Sequence, residues 1–285
     1  MLEKIKNKHL LIDGDIIRYR CGFAAEKTKY LVSGEAYYET WWEKFDTKKE
    51  AVDLIEQIPK DQNPLLWSRK EIQPVENALQ IVKTTMENLF EKLQPSGYTV
   101  WLTGKENFRD KIAKTKPYKG NRTQAKPVHY EAIGEYLVKE YGAKFSNGRE
   151  ADDEIGISLT NLGDVGVCVS NDKDLDQISG WHYDWVSGDA YRVSRKQGDY
   201  QLYTQILTGD STDNVPGLEG VGPAKASAIL DGAASSAELC KRVWTEYRNR
   251  FDDPQRAKNY FWEQASLVYI FRKEGDYFNP PIAIE

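Results

Sequence analysis

The sequence predicts an α/β protein, a central and mostly parallel sheet followed by a C-terminal helical region. Short apolar runs of strand length recur along the chain at His9 to Ile12, Tyr98 to Leu102 and Val165 to Val169. Segments with helical spacing of apolar residues separate them, the alternation that builds parallel sheets through right-handed crossovers. From Tyr200 onward the pattern is helical. We therefore expect an α/β part over 1–195 and a helical part over 196–285.

The 285 residues are 40% hydrophobic and 29% charged, the balance of a soluble protein with a real core. The three cysteines, Cys21, Cys168 and Cys240, lie far apart without metal-ligand spacing. They point to a reducing compartment and away from zinc or a disulfide framework. No apolar run approaches a membrane span and no signal-peptide core stands near Met1, so the expectation is cytoplasm and no membrane. A net charge of −5 argues against a nucleic-acid partner unless the charge is locally segregated.

Taken in order, the first strand ends in Asp13-Gly14-Asp15, and an acid at the carboxyl end of a buried strand is where open α/β sheets place ligands. Lys29 to Val32 and Ala36 to Trp42 read as a hairpin about Ser33-Gly34-Glu35, with a helix from Lys48 to Ile58. Its aromatics, Tyr30, Tyr37, Tyr38, Trp41 and Trp42, read as packing residues. Pro74 to Leu93 carries Leu79, Val82, Met86, Leu89 and Leu93 at helical period.

After the second strand the segment 105–126 holds eight cations against two acids, Glu106 and Asp110. Phe108, Tyr118 and nearby His129 interleave with these cations. A solvated loop is the plain reading; a nucleic-acid surface combining stacking with phosphate contacts is the alternative. Helix is expected over Pro127 to Tyr141 and a short strand over Ala143 to Ser146.

Glu150 to Glu154 then places four carboxylates in five positions at the start of a helical run. Such a cluster repels itself, so either it faces open solvent or something positive sits among it. The strand at 165–169 leads to Asp172, Asp174 and Asp176, and a hairpin about Ser187-Gly188-Asp189 follows. Gly209 to Asn214 adds Asp210 and Asp213. Gly217 to Ala226 is a glycine turn opening a helix, where backbone N–H groups can meet a phosphate. The last helices, over 235–272, show no readable chemistry.

Asp13, Glu150, Asp152, Asp153, Asp172, Asp174, Asp210 and Asp213 share one cleft only if cations neutralise them. Oxygen-only ligation points to Mg²⁺ or Mn²⁺, and a set this large suits two ions, the arrangement used in phosphodiester hydrolysis. Removing these eight acids from the −5 total leaves +3, which answers the charge objection.

In order, Asp13-Gly14, Tyr118 to Arg122, Glu150 to Asp153, Ser170 to Asp174, Gly209 to Asn214 and Gly217 to Ala226 resemble the motifs of the 5′→3′ exonuclease and flap endonuclease family, most of all its compact phage members. The resemblance covers roughly 9–232. It implies a PIN-like nuclease core over 1–195 with a helical arch in 105–126, and a DNA-gripping helix-turn-helix within 196–285. It implies metal-dependent cleavage of DNA near a 5′ end or flap, in phage replication or in removal of primers or host DNA, with two Mg²⁺ or Mn²⁺ ions. Asp13, Glu150 and Asp152 match the ligands of one ion, and Asp153, Asp172, Asp174, Asp210 and Asp213 those of the other. Lys119 and Arg122 match the catalytic cations; at i and i+3 they share a helical face. Arg109, Tyr118, Gly220, Gly222 and Lys225 are the expected DNA contacts, with K⁺ at the glycine turn. An RNA–DNA hybrid is a further expected partner, a monomer the expected state, and the host cytoplasm the expected location for a phage product.

One departure stands out. The family carries an aspartate near the end of the second strand, where this chain reads Thr103-Gly104, leaving Glu106 or Asp15 to compensate. Two other readings remain: a haloacid-dehalogenase-type phosphatase built on Asp13 and Asp15, which leaves the basic segment unexplained, and a DNA-structure-binding protein with weakened catalysis.

Overall fold

A computed structural model describes residues 1–36 and 39–284. In chain order its first half contains β1 (His9–Asp13), α1 (Gly14–Ala24), β2 (Glu26–Ala36), β3 (Glu39–Phe45), α2 (Lys48–Gln57), β4 (Leu65–Ile72), α3 (Val75–Leu93), β5 (Gly97–Leu102) and α4 (Phe108–Ile112). Its second half contains α5 (Tyr130–Tyr141), β6 (Lys144–Phe145), α6 (Ala151–Leu162), β7 (Gly166–Val169), β8 (Gly180–Asp184), β9 (Asp189–Val193), α7 (Arg195–Thr208), α8 (Pro223–Leu230), α9 (Ser236–Arg250) and α10 (Pro254–Val268). These form two compact units, one of Met1–Ile16, Glu87–Ala125 and Leu137–Glu285, the other of Ile17–Met86 and Lys126–Tyr136. The boundary expected at 195 falls inside the first unit.

The first unit is built on a six-stranded sheet in the order β6-β5-β1-β7-β8-β9, parallel except for β9. The three apolar runs of the sequence are β5, β1 and β7, side by side at its centre. Strands buried on both faces read as continuous rather than alternating apolar runs, and β7 is buried at every position. β1 passes directly into α1 at Gly14, where an added Cβ would lie 2.7 Å from Leu102 Cδ2 and 2.8 Å from the Trp101 carbonyl oxygen. Only glycine permits that approach. The helices α7, α9 and α10 share a core containing Ile206, Leu207, Tyr247, Phe261 and Ala265.

The second unit contains a three-stranded antiparallel sheet, β3-β2-β4, joined by α2. α2 starts where the sequence predicts, with Thr47 and Glu50 forming a reciprocal capping box. The hairpin differs. Ser33, Gly34 and Glu35 are not a turn but lie within β2, paired with Trp42, Trp41 and Thr40. Gly34 is there because the Trp41 ring lies over it, 2.7 Å from where a Cβ would stand. Trp42, expected to pack, is 68% exposed. Tyr37 and Tyr38, also read as packing aromatics, lie outside the described residues.

The basic segment also departs from expectation. Only α4 is helical within it; the 117–122 stretch is a turn in which Lys119 adopts φ +54°. Pro117 and Gly120 break the helical pattern that would have put Lys119 and Arg122 on one face.

Candidate active site

β1, β5 and β7 all point their carboxyl ends the same way, and the acids collect there. Asp13 closes β1 and is buried; one carboxylate oxygen accepts the N–H groups of Asp15 and Ile16 at 3.1 and 3.2 Å, the other the Ser170 hydroxyl at 2.9 Å. Ser170 in turn accepts the Asp172 N–H at 3.0 Å. Asp172 accepts the Asp174 N–H at 2.9 Å, and Asp174 accepts the side-chain amide of Gln205, from α7, at 2.6 Å. Asp210 and Asp213 arrive on a loop closed by paired 2.8 Å hydrogen bonds between Asp210 and Val215. That loop requires Gly209 and Gly217, both at positive φ, because a Cβ on either would come within 2.2 Å of the other limb. A cleft of about 330 Å³ opens among Asp152, Asp172, Asp174, Asp210, Lys119 and Arg122. A larger one, about 1340 Å³, lies away from these acids, between α4 and α10, with Lys111, Lys114, Arg250 and Arg256 on its walls.

The electrostatics of the acids divide them into two groups. Burial pushes the Asp13 carboxyl up to about 7, with Asp15 and Asp172 adding repulsion. Burial and then Asp172 and Asp210 push Asp174 up to about 8. Asp152 is raised by burial and by Asp13 and Asp172. Asp172 is raised chiefly by burial, and further by Asp213 and Asp210. Lys119 offsets only part of the rise at Asp152 and Asp172, so burial and mutual repulsion dominate in all four.

The others have cations. Asp213 is buried against its own charge, yet Lys119, the Tyr118 hydroxyl and Arg122 together hold it below the ordinary carboxylate range. Arg122 lies 2.6 Å from Asp213, and Lys119 is paired with both Glu150 and Asp213. Tyr118 donates at 2.8 Å to Glu150 and 2.6 Å to Asp213, and burial beside these carboxylates raises its own pKa. The turn is fastened to the acidic loop by Lys119 N–H to the Asp213 carbonyl at 2.8 Å and by Asn121 to the Ser211 carbonyl at 2.6 Å.

Two residues expected at the DNA surface have other places. Arg109 is buried, forks onto Asp153 at 2.7 and 2.9 Å, and donates to the Leu267 and Tyr269 carbonyls. Asp153, fully buried, also accepts the Glu150 and Phe271 N–H groups at 3.1 Å each, so its oxygens are committed to structure rather than open to an ion. Tyr118 is likewise buried. Phe108 stacks on Phe271 at 5.1 Å and His129 bonds the Gln73 carbonyl through a ring nitrogen, so each is engaged within the protein. Gly220, Gly222 and Lys225 fare differently: Gly220 has φ +76°, Gly222 caps α8 ahead of Pro223, and all three are exposed.

Sequence reasoning placed Ser170 in a motif without giving it a role and overlooked Gln205; the two orient Asp13 and Asp174. The signal for Ser170 was its place two residues before an aspartate at a strand end; nothing in the α7 pattern distinguished Gln205. At Thr103-Gly104 the Thr103 N–H bonds the Asp15 carboxylate at 2.9 Å, so Asp15 stands at the end of β5 where an acid was missing.

For a divalent ion the donor set is suitable: oxygen throughout, with four carboxyls that cannot all be charged without a cation. Asn171 Oδ1, next in sequence to Asp172, is buried without a hydrogen-bond partner among the described residues. As they stand, though, no three acids, cysteines or histidines among the described residues close to metal-binding geometry. Lys119 and Arg122 occupy part of the acidic set instead.

An acid-lined cleft at the carboxyl edge of a mostly parallel sheet, closed over by cations, defines an α/β protein suited to phosphate chemistry. No family model matches the chain. It is 30% identical over 211 residues to a 5′–3′ exonuclease of Buchnera aphidicola, covering 66% of this chain and 72% of that one. A Bacillus subtilis 5′–3′ exonuclease is 31% identical over 169 residues, covering 49% of this chain and 53% of that one. The phage T5 D15 protein, co-crystallised with metal ions, shares the fold, with a TM-score of 0.54 at 14% identity over 91% of this chain and 88% of that one. The chain belongs to the 5′–3′ exonuclease and flap endonuclease family. The phosphatase reading is thereby displaced. Among the described residues no helix is long and apolar enough to cross a membrane.

Proposed function

We propose that this protein cleaves DNA phosphodiesters near a 5′ end or flap, using Mg²⁺ or Mn²⁺ held by Asp13, Asp152, Asp172, Asp174 and Asp210. The observation that carries the reading is the convergence of Asp152, Asp172, Asp174 and Asp210 with Lys119 and Arg122 on one cleft, with buried Asp13 linked to Asp172 through Ser170. Two divalent ions, when bound, would lower the pKa of water towards neutrality and draw charge from the leaving oxygen. Asp13 and Asp174 are oriented for such a cation by Ser170 and Gln205. Lys119 and Arg122 exchange Glu150 and Asp213 for phosphate oxygens and stabilise the charge gathering there. Glu150 and Asp213, released, join the acidic set, while Asp153 stays with Arg109. Tyr118 remains protonated and hydrogen-bonds whichever carboxylate is left.

The exposed turn at Gly220 and Gly222 with Lys225 is the duplex grip, where K⁺ would sit, so residues 196–285 act as the DNA-holding part and 1–195 as the cutting part. RNA–DNA hybrids as substrates, a monomeric state and a cytoplasmic site of action complete the reading. A 5′-labelled duplex incubated in Mg²⁺ should release short labelled products, and EDTA should stop it. Asp172→Ala should retain DNA binding and lose cleavage by at least a hundredfold; full activity in that variant would sink the site assignment.

A further inference from the structure

The second unit carries a sheet face that the catalytic reading leaves unused. Side chains alternate across a strand, so the register of β3-β2-β4 sorts them into two sets. One set faces α2 and includes Val32, fully buried, and Trp41 over Gly34. The other set holds the most exposed aromatic and aliphatic residues of the sheet among the described residues: Trp42 is 68% exposed, Trp67 59% and Leu65 55%. On this open face Trp42 and Leu65 flank Ser33, while Lys44 and Trp67 flank Leu31. The two tryptophans sit two strand spacings apart and two residues out of level, a backbone separation of roughly 12 Å. Trp67 is tethered through its indole N–H to Ser33 Oγ at 3.1 Å, which fixes its orientation on the surface.

Charge is sorted between the faces as well. The open face bears Lys27, Lys29, Lys44 and Arg69 against Glu35 and Glu71, whereas the α2 side bears Glu26 and Glu43 against Lys70. Lys29 pairs with Asp46 and Lys44 with Glu71; Lys27 and Arg69 are in no ion pair among the described residues. Solvent-exposed indoles with unpaired cations farther along the same sheet face are what a sugar–phosphate chain with unstacked bases recognises: the rings take the bases and the cations take the phosphates.

We infer that the open face of β3-β2-β4 binds single-stranded nucleic acid, through stacking on Trp42 and Trp67 and phosphate contacts from Lys27 and Arg69. A duplex would not use the indoles, since its bases are already stacked. A polyanion without bases would not use them either. The inference stands on this sheet alone and does not require the acidic cleft to cut.

The test is a titration of the full chain against a fluorescein-labelled oligo-dT of about 12 nucleotides, a length within the usual range of such sites. Followed by anisotropy in EDTA, it reads binding without cleavage, and so separately from the nuclease assay. Trp42→Ala with Trp67→Ala should weaken binding roughly tenfold or more, by the usual size of base–aromatic stacking, and Trp42→Phe with Trp67→Phe should recover most of it. Lys27→Ala with Arg69→Ala, which leaves both rings in place, should lower the salt slope of binding by about 1.4, the loss of two single-strand phosphate contacts. Unchanged affinity in the alanine pair together with an unchanged slope in the charge pair would overturn the inference. So would a wild-type dimer, seen in sedimentation, that dissociates in the alanine pair while oligonucleotide affinity stays the same; the face would then be covered by a second copy.

Discussion

Asp13 and Asp174 show how residues of one type come to differ. Both are aspartates of the acidic set, and burial and neighbouring acids raise them to about 7 and about 8, while Asp213 is held low by Lys119, the Tyr118 hydroxyl and Arg122. The raised pair has a consequence for stability. Below about pH 4 folded and unfolded chains both hold these protons. As pH climbs, the unfolded chain releases them first, so the metal-free protein loses stability from about pH 4 up through the folded values. In EDTA the thermal midpoint should therefore fall between about pH 5 and about pH 8, Asp174→Asn should flatten the fall, and Mg²⁺ should recover it by binding the folded state alone. A midpoint that is flat with pH, and indifferent to Asp174→Asn, would count against this account.

Among elements, α6 was the easiest to read and the hardest to interpret. Its apolar period and its acids at the positive end of the helix dipole were plain in the sequence. That Asp152 faces the cleft while its neighbour Asp153 is buried against Arg109 was not, because Arg109 lies 44 residues away in the chain. α4 exists to deliver that arginine, in the one helical stretch of a segment otherwise broken by Pro117 and Gly120. Removing it leaves a buried carboxylate unpaired, which costs about 3–5 kcal/mol. Arg109→Ala should accordingly lower the thermal midpoint in EDTA by roughly 10 °C, and Arg109→Lys, which loses the planar fork, should be only a partial remedy. An unchanged midpoint with weakened DNA binding would return Arg109 to the surface role suggested by its setting among other cations.

For the molecule as a whole, a net charge of −5 conceals a segregated distribution: acids at the carboxyl edge of the sheet, cations over them, and exposed basic groups elsewhere. Lys225, exposed at the first turn of α8, belongs to the last class. Lys225→Ala should weaken duplex binding about equally for all sequences and reduce the salt slope by about one, as loss of a single phosphate contact does. A salt slope equal to that of the wild type would remove Lys225 from the duplex surface.

The parallel core, the helical C-terminal part, the strand-end position of Asp13 and the acidic start of α6 were determined by the sequence alone, since periodicity and turn residues are local properties. The tertiary structure alone decided which charges compensate each other: Arg109 with Asp153, Lys119 with Glu150, Arg122 with Asp213. It also decided that Asp15 stands at the end of β5 and that Trp42 faces outward. Sign and size of a side chain are written in the chain, but its partner depends on which distant segments the fold brings within a few ångströms, and on which face of a strand the register turns it to.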